Sequence, residues 1–330
     1  MKISKLFYLF LQMLRYRVAV LLLMFLFVGV GVHQKITVFN YNYILAGLAL
    51  LFSYVSATTI NDIVDKKIDK INHPHGLGRP LVSGEANEKE LYVLNIITSI
   101  LALVIVIPIG WNAVAIMSIS LLISYIYSIE PIKISYRTHF AHIFLSIAYV
   151  LVPYCLGVFT ASKNFIQGDF IFMSAFTILF FGRIILKDFR DRRGDSKYGK
   201  PTFLLKYGKN ATCLISVISV AVGNFILMFY AFDFGPLLLG ILQVYFLCIY
   251  FMAYLLWKAP TPEKEQESIG IGAKMGNGLI LTILGLLVLQ EYGAPKAHSI
   301  FFASIVTLMF LVSFTLLLKN PKLANVGYRG

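Results

Sequence analysis

Charge is scarce in this chain. Asp, Glu, Lys and Arg make up 14% of its 330 residues, well below the share of about 25% usual in soluble domains. Only 16 residues are acidic. Cysteine is nearly missing too. Cys155, Cys213 and Cys248 each sit inside an apolar run, show no metal-ligand spacing and read as small core hydrophobes. Strict alternation of apolar and polar residues is absent, which excludes a membrane β-barrel. No small-residue cleavage site follows the apolar stretch 18–32, and a second apolar run comes soon after. That stretch therefore reads as a transmembrane helix and not as a signal peptide.

Apolar residues fill the space that charge leaves. The chain is 58% hydrophobic, in runs of about twenty residues that suit bilayer-spanning helices. Backbone groups in lipid must pair within their own segment, so the expected fold is all-α, a polytopic transmembrane helical bundle. Spans are expected at roughly 17–36, 42–60, 90–110, 112–129, 138–160, 168–186, 211–233, 235–257, 275–291 and 298–318. With the N-terminus inside, only Lys35, Lys163 and Lys296 of the 29 Lys and Arg residues fall outside. This positive-inside asymmetry predicts ten spans, with both termini and the long polar loops cytoplasmic. It also accounts for the net charge of +13 without a nucleic-acid partner. Attraction to anionic headgroups or to a phosphorylated substrate adds to it. The outer loops are very short and nothing resembles a soluble second domain. One membrane domain over 1–330 is expected, with its function on the inner loops.

The few acids are not scattered. Six of the 16 fall in two stretches, Asn61-Asp62-Ile63-Val64-Asp65-Lys66-Lys67-Ile68-Asp69 and Asp188-Phe189-Arg190-Asp191-Arg192-Arg193-Gly194-Asp195. Both have the form D-x-x-D-x-x-x-D. On a helix, positions i, i+3 and i+7 share one face. Three like charges on one face repel, and a divalent cation relieves that. Mg²⁺ is the natural candidate, because it takes a few carboxylates, keeps waters and completes its shell with substrate phosphates. Two such clusters on the same side of the membrane, Asp62, Asp65 and Asp69 against Asp188, Asp191 and Asp195, suit a diphosphate held between them.

Basic and aromatic residues supply the rest of the expected site. Arg79, Lys133, Arg183 and Lys187 are candidates for diphosphate oxygens that metal does not bind, Arg by a bidentate fork and Lys as a point charge. Tyr127, at the inner end of the fourth span, is the first choice among 19 Tyr and 27 Phe to line a cavity and stabilise a cation. His73 and His75 form an H-x-H pair in a Pro- and Gly-containing loop. They lack a third nitrogen or sulfur ligand nearby, so zinc is not expected there.

Together these residues resemble the UbiA superfamily of intramembrane prenyltransferases. The first signature of that family is similar to Asn61–Asp69 followed by Arg79-Pro80-Leu81-Val82-Ser83-Gly84. The second is similar to Lys187, Asp188, Asp191, Gly194, Asp195, Gly199 and Thr202. Between them, Tyr127-Ser128-Ile129-Glu130-Pro131-Ile132-Lys133 resembles a third family segment. The resemblance covers about residues 15–292. It implies a nine-helix core around a central cavity that opens sideways to lipid. It also implies two Mg²⁺ ions on the two signatures and a prenyl diphosphate as donor. The allylic C–O bond ionises and the cation is captured by an acceptor. By the same resemblance Asn61 and the six aspartates belong to the site. The span 298–318 departs from the family as a tenth helix, with no chemistry assigned to it.

Two other readings compete. Phosphoribosyl transfer to a polyprenyl phosphate uses the same fold, but the intact second cluster argues for prenyl diphosphate. A secondary transporter would carry acids within its spans, whereas here they gather at one face. The acceptor is aromatic or lipid-like. The basic loops would suit an anionic one. Prenyl length, oligomeric state and acceptor identity are not legible in the sequence.

Overall fold

A computed structural model describes residues 2–73, 76, 78–231, 235–321 and 323. Among these residues the chain is helical, without a strand. The last residues of the expected span 211–233, His75, and the tail cations Lys322 and Arg329 lie outside the described residues. The sequence opens with a helix not foreseen as such, α1 (Ile3–Met13), set at 72° to α2 (Tyr16–Val32). Then follow α3 (Tyr41–Val64), α4 (Lys66–Asn72), α5 (Pro80–Ser83), α6 (Glu88–Val104) and α7 (Trp111–Ser128). The next span is α8 (Ala141–Ser146), a π-helical turn (Ile147–Leu151) and α9 (Val152–Ala161). After it come α10 (Gln167–Ile184), α11 (Asp188–Lys197), α12 (Phe203–Ala231), α13 (Pro236–Lys258), α14 (Pro262–Glu291) and α15 (Lys296–Lys319).

Every expected span coincides with a helix, but not all are equally long. Among the described residues eight are long and apolar enough to cross a membrane, and a ninth if the bent pair α1–α2 counts as one. The expected spans 17–36 and 90–110 are the short ones, at 17 helical residues each. That is about 25 Å of helix, at the lower limit for a hydrocarbon core of about 30 Å. At the start of α6, Asn87 and Glu90 close a capping box. Its far end gives way at Ile105 to turns that run to Gly110, whose φ of 132° only glycine adopts readily.

α2 runs through the middle of the bundle. In lipid no hydrophobic force drives helices together, so close backbone approach and polar links must do it. Gly29 of α2 and Gly157 of α9 supply the approach. A Cβ at Gly29 would stand 2.4 Å from the Tyr154 carbonyl oxygen, and one at Gly157 2.0 Å from that of Leu26. Large buried rings, among them Phe25, Tyr154, Phe172, Phe176, Tyr245 and Phe246, fill the space around this contact. The last helix, α15, seats Phe310 and Phe302 over Gly278 and Gly285 of α14.

Polar links sew the end remote from the aspartate clusters. The buried Asp169 carboxylate accepts from Tyr154 Oη at 2.9 Å and from the Ile166 N–H at 2.7 Å, and meets His33 Nε2 at 3.0 Å. Glu291 at the end of α14 accepts from the Ile36 N–H at 2.8 Å. At the other end α1 packs Leu9 and Met13 against Val55, Leu91 and Leu94, and turns Ile3, Phe7 and Leu11 outward. α1 thus has apolar residues on both faces, one packed on the bundle and one turned outward.

Gly157→Val would drive side-chain atoms into the α2 backbone. Overpacking typically costs about 1–3 kcal/mol, and backbone has little room to yield here. The expected outcome is a melting temperature in detergent lowered by about 5 °C or more, read by a thermal-shift assay.

Candidate active site

The two aspartate clusters meet through a small contact. α4 carries Asp69, the last acid of the first cluster, and α11 carries the second. The Gly194 N–H donates to Asn72 Oδ1 at 2.7 Å, and a Cβ at Gly194 would lie 2.7 Å from the Asn72 side chain. Glycine at that position lets the two short helices close on each other. Between them and the long helices lies a cavity of about 570 Å³. Its mouth carries Asp65, Asp69, Asp191, Asp195, Lys187 and Lys200, and its deeper walls carry Leu50, Tyr54, Ile123, Tyr149 and Phe180. Tyr149 stacks on Phe180 with centroids 5.5 Å apart, and Tyr54 meets it edge-on at 6.2 Å. Tyr149 belongs to the π-helical turn. Pro153 cannot donate to the carbonyl four residues back, and the helix opens there to an i−5 bond from Val152 to Ile147.

Cations answer the buried carboxylates. Asp62 lies between Arg15, 2.7 Å away, and Arg79. Arg79 also reaches Asp69, with Nε 3.4 Å from Oδ2. Lys200 bridges the clusters, 3.2 Å from Asp65 and 3.8 Å from Asp195. Arg190 grips Asp191 through two hydrogen bonds of 2.6 and 2.9 Å. Lys187 Nζ donates to Tyr127 Oη at 3.0 Å. Arg183 donates to Asn277 at 2.9 Å. Burial, then the neighbouring Asp62 and Asp65, push the Asp69 carboxyl up to about 8. Burial alone would lower Lys200, but Asp65 and Asp195 outweigh it and hold its ammonium above the usual range. Burial and Arg190 lower His73 to about 4, so its ring is neutral.

The oxygens present fit a hard divalent cation. Asp69 and Asp195 each keep a buried carboxylate oxygen without a hydrogen-bond partner, and an all-oxygen donor set suits Mg²⁺. Among the described residues no group of three His, Cys, Asp or Glu stands close enough to hold an ion unaided. Mg²⁺ does not require one, since it is commonly held by one or two carboxylates together with substrate phosphates.

This arrangement has known counterparts. The profile of the UbiA prenyltransferase family matches residues 22–278. The chain belongs to that family. It is accordingly an integral membrane enzyme of the prenyltransferase class. Among UbiA relatives, the digeranylgeranylglyceryl phosphate synthase of Methanocaldococcus jannaschii is 31% identical over 230 residues, 68% of this chain and 76% of the relative. That of Methanosphaera stadtmanae is 29% identical over 184 residues, 54% of this chain and 63% of the relative, so this second match spans just under two thirds of its length. A solved structure of a digeranylgeranylglyceryl phosphate synthase superposes with a TM-score of 0.66 at 23% identity, over 86% of this chain and 99% of that one. A UbiA homologue from Archaeoglobus fulgidus, bound to DMAPP and Mg²⁺, superposes with a TM-score of 0.58 at 16% identity, over 94% and 99%. At these identities the structures bear on the fold alone.

Of the residues the sequence pointed to, Asn61, Asp65, Asp69, Arg79, Tyr127, Arg183, Lys187, Asp191 and Asp195 line the cavity. Asp62, Asp188 and Lys133 do not. The first cluster does not present one helical face, because the backbone leaves helix geometry at Asp65 (φ −90°, ψ 11°), between α3 and α4. Asp62 consequently faces the two arginines. The second cluster is helical from Asp188 to Lys197, yet Asp188 turns to His142 Nε2, 3.0 Å away. Lys133 sits beside Glu130 at 3.4 Å and over the Tyr136 ring at 4.4 Å. Sequence reasoning missed Arg15, Asn72, His142 and Lys200. Lys200 alone carried a signal, since it lies within the second UbiA signature, between Gly199 and Thr202.

Gly194→Ala would push α4 and α11 apart. The expected result is at least a tenfold loss of turnover, together with a higher half-saturating Mg²⁺ concentration, measured on protein whose gel-filtration profile matches the wild type.

Proposed function

We propose that this protein transfers an isoprenyl group from a prenyl diphosphate to a lipid or aromatic acceptor, with two Mg²⁺ ions held between the aspartate clusters. The observation that carries this reading is a cavity with two chemistries. Paired carboxylates and cations ring its mouth, and apolar and aromatic side chains line its depth. A prenyl diphosphate divides in the same way. In this reading Asp65, Asp69, Asp191 and Asp195 are the metal-facing carboxylates, and Asp62 and Asp188 hold the clusters in place through Arg15, Arg79 and His142. Arg79, Arg183, Lys187 and Lys200 bind diphosphate oxygens, with Asn61 beside them. Lys133 acts at most from outside the mouth. Mg²⁺, when bound, neutralises the diphosphate and eases its departure. Tyr127, Tyr54, Tyr149 and Phe180 offer ring faces to the allylic cation, and the apolar walls keep water from it. The A. fulgidus homologue, alike in fold, is bound to DMAPP and Mg²⁺, a donor of the class proposed here. The names of the synthases among the relatives, whose product bears two geranylgeranyl groups on one glyceryl phosphate, support a lipid acceptor. In the same reading both termini and the aspartate loops are cytoplasmic.

The deciding experiment incubates the purified protein with geranyl, farnesyl or geranylgeranyl diphosphate and pooled acceptors. Mg²⁺-dependent diphosphate release with a prenylated product is expected, and no release from any donor would refute the reading. Asp191→Asn and Asp195→Asn are each expected to lower turnover more than about 100-fold with the fold intact, as loss of metal-facing groups does. Circular dichroism checks the fold.

A pH dependence follows from Asp69. Its carboxyl must lose a proton to face Mg²⁺, so binding releases that proton. Affinity for Mg²⁺ therefore rises with pH up to the carboxyl's own range near 8 and levels off above it. Half-saturating Mg²⁺ should fall about tenfold between pH 7 and pH 9. Asp69→Asn should remove most of that slope, leaving the smaller one of Asp195, whose carboxyl burial pushes up to about 7.

A further inference from the structure

One wall of the cavity carries a row of serine hydroxyls. Ser120, Ser124 and Ser128 recur every fourth residue along α7, so they form one stripe, and all three line the cavity. Ser53 of α3 joins them, its Oγ 2.8 Å from that of Ser120. Within a membrane helix a serine ordinarily returns its hydroxyl to the carbonyl four residues back. Ser118, on the same helix, does so to Val114 at 2.8 Å, and Ser146 does so to His142 at 2.8 Å. Ser124 does not. It is 8% exposed, and its Oγ is buried without any hydrogen-bond partner. A buried, unpaired hydroxyl is unfavourable unless something pairs with it.

The position of Ser124 says what that partner is. It lies one helical turn below Ser128 and Tyr127, and Tyr127 holds Lys187 at the mouth. One turn is about 5.4 Å. An anionic head is met at the mouth by Lys187 and Lys200. α7 itself carries no charged residue, so one turn deeper its side of the cavity offers hydroxyls and no charge, and Arg183 of α10, which also lines the cavity, is engaged with Asn277 at 2.9 Å. We propose that Ser124, flanked by the Ser53–Ser120 pair, binds a neutral hydroxyl of the acceptor just beneath the diphosphate site. This rests on the transfer reaction proposed above and adds the acceptor's chemical class. The acceptor carries a neutral hydroxyl at the reacting depth, whether on a glyceryl lipid or on a phenol. A carboxylate or phosphate, where the acceptor has one, lies at the mouth.

The test uses the full-length protein with geranylgeranyl diphosphate as donor. Two acceptors are compared, a geranylgeranyl glyceryl phosphate with a free hydroxyl and a phloroglucinol-type phenol. Whichever the wild type prenylates names the source of the hydroxyl. If the wild type prenylates neither and releases no diphosphate from any prenyl donor, the transfer reading itself has failed. Ser124→Ala is expected to raise the KM for the accepted substrate about fivefold or more, while the KM for the donor stays within twofold. Its melting temperature should equal or exceed the wild-type value, because the hydroxyl removed had no protein partner. Ser124→Thr, which keeps a hydroxyl, should hold the acceptor KM within about threefold. An unchanged acceptor KM in Ser124→Ala would overturn the proposal, as would equal rises in both KM values. An equally large rise in Ser124→Thr would assign the effect to volume and overturn it likewise.

Discussion

A carboxylate taken out of water must be answered by a cation, and in this protein the answers come from distant parts of the chain. Asp62 is met by Arg15 from the α1–α2 junction and by Arg79 from the start of α5. Lys200, from the turn after α11, spans Asp65 and Asp195. Each pair ties two segments that local folding alone would leave apart. Coulomb attraction in such surroundings about offsets the cost of desolvation, so the pairs contribute little net stability. Removing one member strands a buried charge and costs roughly 3–5 kcal/mol. The pairs therefore act mainly on placement, and they fix which carboxylates remain turned toward the cavity.

The helices themselves were largely legible. Long apolar runs and the one-sided distribution of Lys and Arg marked them, because lipid leaves the backbone no alternative to helix. The spacing of the aspartates marked two stretches that the structure brings together, with four of the six carboxylates on the cavity wall. Their directions were not legible. Asp65 is neither proline nor glycine, and nothing local announces that the helix breaks there. Asp62, ahead of that break, pairs with a guanidinium 47 residues away. Asp188 turns to His142, 46 residues earlier. Ion pairs of that separation leave no periodic trace. The helix α1 was hidden for a related reason. Its apolar stripe is short and its charges read as topology signals.

The membrane shapes the two ends differently. At one end polar groups are satisfied among themselves, as where Asp169 gathers Tyr154, His33 and the Ile166 N–H. That end is closed. At the other, Asp69 and Asp195 meet cations at only 3.4 and 3.8 Å and keep oxygens without a hydrogen-bond partner, as Ser124 keeps a hydroxyl. The contrast marks where the protein is complete alone and where its chemistry calls for other molecules.

The π-helical turn at Ile147–Leu151 bears on what this span tolerates in length. A π turn holds one residue more than the α-turn it replaces, and the extra residue is absorbed without rotating the segments on either side. Deleting one residue within 147–151 would remove the extra residue while Pro153 still leaves its one hydrogen bond unmade. Gly157 would still face Gly29, and His142 would still face Asp188. Deleting one residue elsewhere in Ala141–Ala161 would turn everything beyond it by about 100° and carry Gly157 off its contact. The span thus has one place where its length can change by a residue while both of its faces keep their registers.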